Sequence, residues 1–158
     1  MRSVTKGIVE YDRIELLLTT PDHATLPIVE GNVVRLTIVD GAFATCSISS
    51  AGSSDELQAH YHRGVALTKS STVNGIIRVM VAGTTRVKTT GAVAGYPLRY
   101  DYGTANSGIL EATGTNPVAD AATFVKNIAI AMEATDSDGY AVCIFDGVAG
   151  INTVDLAS

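Results

Sequence analysis

Residues 76–82 read Ile-Ile-Arg-Val-Met-Val-Ala. Ile77, Val79 and Val81 occupy every second position of this stretch, and Arg78 lies between two of them. Because successive side chains of a strand point to opposite faces, this spacing places the three apolar side chains on one face and the arginine on the other. The stretch is therefore predicted to be a β-strand with one buried face.

Four other stretches carry the same kind of signal on both sides of this strand. They are rich in β-branched or alternating apolar residues and cover residues 13–19, 32–39, 42–49 and 140–145. Each is short and is bounded by Gly, Asn, Asp or Pro, a pattern typical of an all-β domain. Helix signals are weak, with short helices indicated only after Ser54 and at Asn116. We predict an all-β fold with minor short helices, arranged as a compact barrel- or sandwich-like domain.

Tight turns are predicted between several of these strands. Aspartate or asparagine followed by glycine tolerates the positive φ angles that the primed hairpin turns require. The sequence has this dipeptide at Asp40-Gly41, Asn74-Gly75 and Asp138-Gly139. We expect a hairpin turn at each of these places.

The composition of the 158-residue chain excludes several classes of protein. Apolar residues make up 46%, which is too many for a chain that is disordered throughout. The 11 basic and 16 acidic residues give a net charge of −5, without the basic excess that drives nucleic-acid binding. No stretch approaches the roughly 18 continuous apolar residues of a membrane span, and charged residues interrupt the N-terminus, so neither a membrane anchor nor a secretory signal is expected. Cys46 and Cys143 lie in apolar runs and are predicted to be buried thiols.

The first 30 residues differ from the rest of the chain. Pro21 and Pro27 bracket a segment that cannot lie inside a central strand. We predict three parts: an extended N-terminal arm with one strand over residues 1–30, a β-rich domain over residues 31–146, and a loosely held C-terminal tail over residues 147–158. The alternative is that residues 14–18 form the first strand of the core.

Four residues of this arm are candidates for binding a neighbouring protein. They form a short apolar patch and are Val4, Ile8, Val9 and Tyr11. An extended segment of this kind becomes ordered when it finds a partner strand or groove, so we expect these side chains to make the contact.

Two segments of the chain resemble each other. In residues 63–83 a basic residue leads a short apolar strand, a polar connection ends in Asn74-Gly75, and a longer alternating strand stops at a glycine. Residues 126–147 follow the same order, and their connection ends in Asp138-Gly139. This likeness predicts two similar β-hairpins or arches, unless it is a coincidence between two short β motifs.

No catalytic motif is recognisable, since the sequence lacks a nucleophile elbow, a Gly-rich phosphate loop, a zinc-protease helix and a C-x-x-C pair. The best candidate for a metal site is His60-Tyr61-His62, because residues two apart in a strand point the same way. Asp55 or Glu56 could add a carboxylate, but a third ligand at a defined spacing is missing. We predict no metal, no cofactor and no enzymatic activity, and interpret His60 and His62 as surface or interface residues.

Three of the six tyrosines lie in one short segment, namely Tyr96, Tyr100 and Tyr102. Tyr100 and Tyr102 share a predicted strand face, from which they could stack on a base or a sugar, pack on a partner subunit or cover the edge of the core. Only Arg99 is near, so nucleic-acid binding is not expected. Because tyrosine is enriched at protein interfaces, we predict that the three tyrosines contribute to an oligomer interface.

A pattern of glycines and strands extends over most of residues 31–146. It comprises Gly64-Val65-Ala66-Leu67, residues 78–83, Arg86-Val87, Gly91, residues 94–98, Asp101, Gly103, and the strands at 128–133 and 141–145. In this pattern the chain resembles a family of small capsid decoration, or cement, proteins of tailed bacteriophages. The first 30 residues and the C-terminal tail have no counterpart in the family pattern, and the segment from 49 to 62 is longer.

The resemblance implies a β-rich, non-enzymatic protein, commonly a homotrimer, that sits on the outside of the expanded head and ties neighbouring major capsid proteins together. The expected partner is then the major capsid protein. The expected location is the outer surface of the virion, after synthesis in the host cytoplasm. The low charged fraction of 17% agrees with a large subunit interface. Two other classes stay open: a carbohydrate- or receptor-binding β-domain of a virion, and a trimeric β-fold nucleotide hydrolase.

Overall fold

The computed structural model describes residues 3–5, 8–10, 13–20, 27–48, 62–101, 108–112 and 127–150, and these contain strands but no helix. The predicted all-β fold is confirmed. The described strands are β1 (Ser3–Thr5), β2 (Ile8–Glu10), β3 (Ile14–Thr20), β4 (Val33–Val39), β5 (Ala42–Ser47), β6 (Arg63–Ala66), β7 (Gly75–Thr90), β8 (Pro97–Tyr100), β9 (Leu110–Ala112), β10 (Ala129–Ala131) and β11 (Tyr140–Asp146). The helices predicted after Ser54 and at Asn116 lie outside the described residues.

The strands β3 to β11 form one sheet that closes on itself twice. The pairings β7–β3, β3–β5, β5–β4, β4–β6 and β6–β7 close one ring, which we call barrel 1. The pairings β7–β9, β9–β8, β8–β10, β10–β11 and β11–β7 close a second ring, which we call barrel 2. The strands β1 and β2 form a separate two-stranded antiparallel sheet.

The 16-residue strand β7 belongs to both barrels. In its first half, Ile77, Val79 and Val81 are buried in the core of barrel 1, on the face that the alternation predicted. Beyond Gly83 the strand continues, and Val87 is buried in the core of barrel 2. The partners of β7 change at this glycine, from β3 and β6 to β11 and β9. The sequence predicted only the first half, because lysine, arginine and threonines make the second half look polar.

The two barrels have the same topology in the same chain order. In each, the first strand pairs antiparallel with the fifth strand and parallel with the third strand. In each, the second strand pairs antiparallel with the third and the fourth, and the fourth pairs antiparallel with the fifth. All the ring pairings of barrel 1 thus recur in barrel 2, so the chain is a tandem repeat of one five-stranded unit.

Strand registers align the two units residue by residue. Leu36 pairs with Cys46 in barrel 1, and Tyr100 pairs with Leu110 in barrel 2, each 64 positions further along the chain. With shifts of 64 to 69 positions, the core of barrel 1 maps onto that of barrel 2 as follows: Leu18 to Val87, Ile28 to Ala92, Val34 to Leu98, Leu36 to Tyr100, Cys46 to Leu110, Ile48 to Ala112, Ala66 to Ala131, Ile77 to Ala141, Val79 to Cys143 and Val81 to Phe145.

The turn that leads into the second strand is also repeated. The backbone nitrogen of Gly31 donates a hydrogen bond of 2.8 Å to the carbonyl oxygen of Ala66, and that of Gly95 donates one of 2.7 Å to Ala131. The two glycines have φ angles of +86° and +84°, which side chains with a Cβ rarely adopt. The repeat therefore extends well beyond the two similar hairpins that the sequence predicted, β6–β7 and β10–β11, both of which are present.

The three predicted turns differ in geometry. Asp40 and Gly41 both have positive φ, as a primed two-residue turn between β4 and β5 requires. In the other two turns only one residue of each dipeptide, Asn74 or Gly139, has a positive φ. These dipeptides end longer connections from β6 and β10. They therefore do not need the positive φ at both residues that a primed two-residue hairpin turn requires.

Part of the predicted arm is built into barrel 1. The strand β3 pairs with β7 along its whole length, and Leu18 and Ile28 are buried in the core. The region from Ile14 onward therefore belongs to the domain, which is the alternative that the sequence left open. The sequence predicted a single strand in the arm. Among the described residues before Ile14, the structure has two more strands, β1 and β2.

The beginning of the predicted C-terminal tail is also held in place. The backbone of Gly147 donates a hydrogen bond to the carbonyl oxygen of Val81 and accepts one from the nitrogen of Arg63. The side chain of Val148 packs against the core of barrel 1. The expectation of a loosely held tail is corrected for residues 147–150, and residues 151–158 lie outside the described residues.

Candidate interaction surfaces

The two barrels meet where the turn before β4 reaches the outer face of barrel 2. The backbone nitrogen of Lys88 donates a hydrogen bond of 2.9 Å to the carbonyl oxygen of Gly31. The phenol of Tyr140 donates one of 3.2 Å to the carbonyl oxygen of Glu30. A Cβ placed on Gly31 would lie 2.6 Å from Cε1 of Tyr140, so the absence of a side chain lets the ring lie against the turn. We call this set of interactions the barrel–barrel contact.

A cluster of charged groups holds Tyr140 in position. The guanidinium carbon of Arg86 lies 4.3 Å from the centre of the Tyr140 ring, and its Nη2 donates a hydrogen bond of 2.6 Å to Oδ2 of Asp136. Oδ1 of Asp136 accepts hydrogen bonds from the backbone nitrogens of Asp138 and Tyr140. The hydrogen bond from Arg86 is the main reason that the pKa of Asp136 is lowered, and it also raises the pKa of Arg86.

An apolar row on the outside of barrel 1 packs into the core cluster of barrel 2. The row runs across three paired strands and consists of Val33, Val65 and Met80, all fully buried. The corresponding row of barrel 2 is Pro97, Ile130 and Ile144, which are likewise paired in register. This second row is only half-buried.

Tyr100, which was predicted at an oligomer interface, lies inside the core of its own chain. Its side chain is 2% exposed, and the guanidinium carbon of Arg63 lies 3.9 Å from the centre of its ring. Its hydroxyl accepts a hydrogen bond from the backbone of Gly108. The prediction for Tyr100 is therefore wrong, because barrel 1 already covers the ring that a partner subunit was expected to cover. Tyr102 lies outside the described residues.

The outer surface of barrel 1 carries two highly exposed apolar side chains. Leu17 on β3 is 70% exposed, and Ile76 on β7 is 71% exposed. In the register of the two strands, Leu17 lies opposite Arg78, two residues from Ile76 on the same face, so they are diagonal neighbours. Nε of Arg78 forms an ion pair of 3.2 Å with Glu15 beside them. We call Leu17 and Ile76 the β3–β7 face, and adjacent exposed apolar side chains make it a candidate protein contact.

The sequence contained a signal for this face that period-two reasoning overlooked. Leu16, Leu17 and Leu18 are consecutive, and Ile76 directly precedes Ile77. In a strand with one buried face, an apolar residue that is out of phase with the core positions points to solvent. Leu17 and Ile76 are such residues.

The second exposed apolar group lies on barrel 2, in the turn from Val93 to Tyr96. The backbone nitrogen of Tyr96 donates a hydrogen bond of 3.0 Å to the carbonyl oxygen of Val93, which closes the turn. Both side chains are exposed, that of Tyr96 by 40%. A Cβ placed on Gly95 would meet nothing within 4 Å. We call this segment the 93–96 turn, and it places Tyr96 where a partner can reach it.

His62, one of the two candidate metal ligands, has an aromatic neighbour. Its ring is half-buried and packs edge-on against Phe43, with 5.7 Å between the ring centres. Within the described residues, no group of three His, Cys, Asp or Glu side chains lies close enough to hold a metal ion. His60 lies outside the described residues.

The candidate residues of the N-terminal arm are brought together by a strand pair. Val4 on β1 is the register partner of Val9 on β2, and Thr5 is the partner of Ile8. Tyr11 lies outside the described residues. The binding role of these residues stays a prediction.

The two cysteines are buried, as predicted, one in the core of each barrel. Burial raises the pKa of both the Cys46 and the Cys143 thiol to about 12, and the charge of Glu133 adds to the effect at Cys143. Both groups therefore remain protonated and unreactive at neutral pH.

The described residues form an all-β protein of two tandem barrels, each with exposed apolar side chains on its surface. No model of a known protein family matches this chain, and no curated protein matches it. A helix with the length and apolar character that a membrane crossing needs is not found among the described segments.

Proposed function

We propose that the chain is a structural, non-enzymatic protein of a bacteriophage head. It binds the outer surface of the head as a homotrimer and links neighbouring major capsid proteins. The observation that carries the proposal, through its self-association, is the pair of exposed apolar side chains, Leu17 and Ile76, on the outer face of barrel 1. Exposed apolar patches on such surfaces are typical of proteins that another protein covers.

The resemblance to decoration proteins supports the proposal through the segments that carry it. Residues 64–67 form most of β6 and the start of its connection, and residues 78–83 lie in the centre of β7. Residues 94–98 run from the 93–96 turn into β8, while residues 141–145 lie in β11. The segments that the chain shares with the family pattern thus lie in β6 and β7 of barrel 1 and in four of the five strands of barrel 2, namely β7, β8, β10 and β11.

The physical advantage of a trimer on a capsid lies in its symmetry. A capsid has many local three-fold or quasi-three-fold sites, and a three-fold trimer makes three equivalent contacts at such a site. Each contact is weak by itself, but the first raises the effective concentration of the others and so increases the overall affinity. A net charge of −5 suits a protein that works outside the head and has no need to bind the packaged nucleic acid.

The carbohydrate-binding alternative loses its main support. It would be favoured by an exposed platform of Tyr96, Tyr100 and Tyr102 for stacking on sugar rings. Tyr100 is buried beneath Arg63, so Tyr96 is the one described tyrosine of that segment that a ligand can reach. We therefore retain the structural virion protein as the proposed function.

Co-sedimentation tests this function. Expanded heads of the phage that encodes the chain are prepared without this protein and are mixed with the purified protein. We expect saturable binding to these heads and none to heads of an unrelated phage. Absence of binding would contradict the proposal, and retention on a bacterial polysaccharide instead would support the carbohydrate-binding alternative.

A further inference from the structure

We propose that copies of this chain associate head to tail by repeating between chains the barrel–barrel contact that exists within each chain. In that contact the outer face of barrel 2 covers the turn before β4 of barrel 1. Because the chain is a tandem repeat, it carries a second copy of each side of this contact, and both copies are exposed. The proposal rests on the self-association that the proposed function includes, and it does not depend on binding to a capsid.

The side that barrel 2 contributes has its counterpart in the β3–β7 face of barrel 1. The strand registers match Tyr140 with Ile76 and Arg86 with Leu17. Tyr140 lies against Gly31 of barrel 1, and Arg86 packs on the Tyr140 ring. Ile76 and Leu17 occupy the same positions on their barrel but are the two most exposed large apolar side chains among the described residues.

The side that barrel 1 contributes has its counterpart in the 93–96 turn of barrel 2. Gly31 and Gly95 hold their turns with the same hydrogen bond and nearly the same φ. Gly31 is buried beneath Tyr140, whereas the space next to the Cα of Gly95 is open. Val93 and Tyr96, at the two ends of this turn, are exposed.

The apolar rows beside the two turns show the same contrast. Val65 and Met80 of barrel 1 are fully buried where they pack into the cluster of barrel 2. Their counterparts on barrel 2, Ile130 and Ile144, are half-buried. The row on barrel 2 begins at Pro97, directly after Tyr96, so it adjoins the 93–96 turn as the row of barrel 1 adjoins the turn at Gly31.

A second copy of this chain is the occupant that the geometry favours, because it alone presents both missing halves. Most of the exposed large apolar side chains of the described residues fall on these two surfaces, namely Leu17, Ile76, Val93 and Tyr96. In the resulting assembly, the 93–96 turn of one chain contacts the β3–β7 face of the next. Such a head-to-tail interface closes into a ring when its rotation allows. Three chains joined in this way form a ring of six barrels.

Two double variants and one control test the proposal. The first variant, Leu17→Glu with Ile76→Glu, places charges on the β3–β7 face. The second, Val93→Glu with Tyr96→Glu, places charges on the 93–96 turn. The control, Ile38→Glu with Val39→Glu, changes two apolar side chains that are also about half exposed but belong to the β4–β5 hairpin and to neither of the two surfaces.

Light scattering coupled to size-exclusion chromatography measures the assembly state of the full chain without capsids. We expect the wild type and the control to associate, and each of the two variants to dissociate at concentrations at least tenfold higher. Mixing the two variants should restore one intact interface and give a discrete dimer with one chain of each kind. A monomeric wild type, a control that dissociates like the variants, or a mixture that stays monomeric would overturn the proposal.

A gain-of-function variant keeps the test independent of any loss of folding. Leu17→Arg with Ile76→Tyr copies the Arg86–Tyr140 pair onto the β3–β7 face. We expect this variant to associate at least as tightly as the wild type, with an unchanged thermal unfolding temperature. Weaker association of a folded protein would contradict the equivalence of the two contacts. Failure of capsid binding with intact self-association would contradict the proposed function alone.

Discussion

The ring of Tyr140 lies directly against Gly31, with its Cε1 only 2.6 Å from where a Cβ of that residue would be. The relationship joins the last strand of barrel 2 to the turn that opens the second strand of barrel 1. The position equivalent to Tyr140 is Ile76 in barrel 1, and the position equivalent to Gly31 is Gly95 in barrel 2. Among the described residues, neither of these two makes such a contact. The same structural unit therefore occurs twice in the chain. The groups of one barrel–barrel contact are buried against each other, and the equivalent groups of a second contact are exposed.

Replacement of Tyr140 by alanine should destabilise the chain far more than the matching change in barrel 1. Tyr140→Ala removes the packing on Gly31, the stacking with Arg86 and the hydrogen bond to Glu30, so we expect a loss of about 1 to 3 kcal/mol in the free energy of unfolding. At protein concentrations where the chains are not associated, the matched control Ile76→Ala should change it by less than about 0.5 kcal/mol, because that side chain is exposed in the single chain. Urea unfolding measures both, and equal losses would contradict the role of the barrel–barrel contact.

The carboxylate of Asp136 should contribute stability in a pH-dependent way. Asp136→Asn keeps an oxygen for the backbone hydrogen bonds but loses the ion pair with Arg86, whereas Asp136→Ala loses both, so stability should fall in that order. Because the folded pKa lies below the unfolded value, the contribution is present at neutral pH and disappears as the pH falls below about 4. Thermal unfolding between pH 3 and pH 7 tests this, and a difference from the asparagine variant that persists unchanged at the acid end would contradict it.

The buried thiols should make the chain less stable in alkali. Each has a folded pKa of about 12, above the value of about 8.5 for an unfolded thiol. Above about pH 8.5 the unfolded chain therefore releases protons that the folded chain retains, and the free energy of unfolding falls as the pH rises. A Cys46→Val, Cys143→Val variant should lose less stability between pH 7 and pH 10 than the wild type. Equal losses would show that the thiols are ionised or exposed in the folded chain.

Deletion of residues 1–12 should separate binding from folding. The strands β1 and β2 pair with each other in their own sheet, so the deletion leaves every strand of the nine-stranded sheet in place. We expect the thermal unfolding of the isolated protein to change little, while attachment to phage heads weakens severely. A truncated protein that binds heads as tightly as the full chain would contradict a binding role for Val4, Ile8, Val9 and Tyr11, and so would one that no longer folds.

The sequence predicted the fold class and most of the long strands because period-two alternation is a local signal. It missed the second half of β7, where the inward positions Val87 and Thr89 alternate with the charged residues Arg86 and Lys88. It also placed Tyr100 at a surface, since the partner that covers it, Arg63, is distant in the sequence and reaches it only through the meeting of the two barrels.

The tandem repeat was visible in the sequence only at its last hairpin. There the turn glycines Gly75 and Gly139 and the apolar strands that follow them keep a constant spacing. Elsewhere the equivalent positions share burial rather than identity, as with Cys46 and Leu110 or Leu36 and Tyr100. Strand pairing reveals such an equivalence, whereas a comparison of residue types along one chain does not.

Cryo-electron microscopy of expanded phage heads with and without the purified protein tests the proposed function most directly. We expect added density on the outer surface, repeated at equivalent sites between neighbouring major capsid proteins, with pairs of small barrels resolved in each copy. Reconstructions that are identical with and without a saturating excess of the folded protein would contradict it.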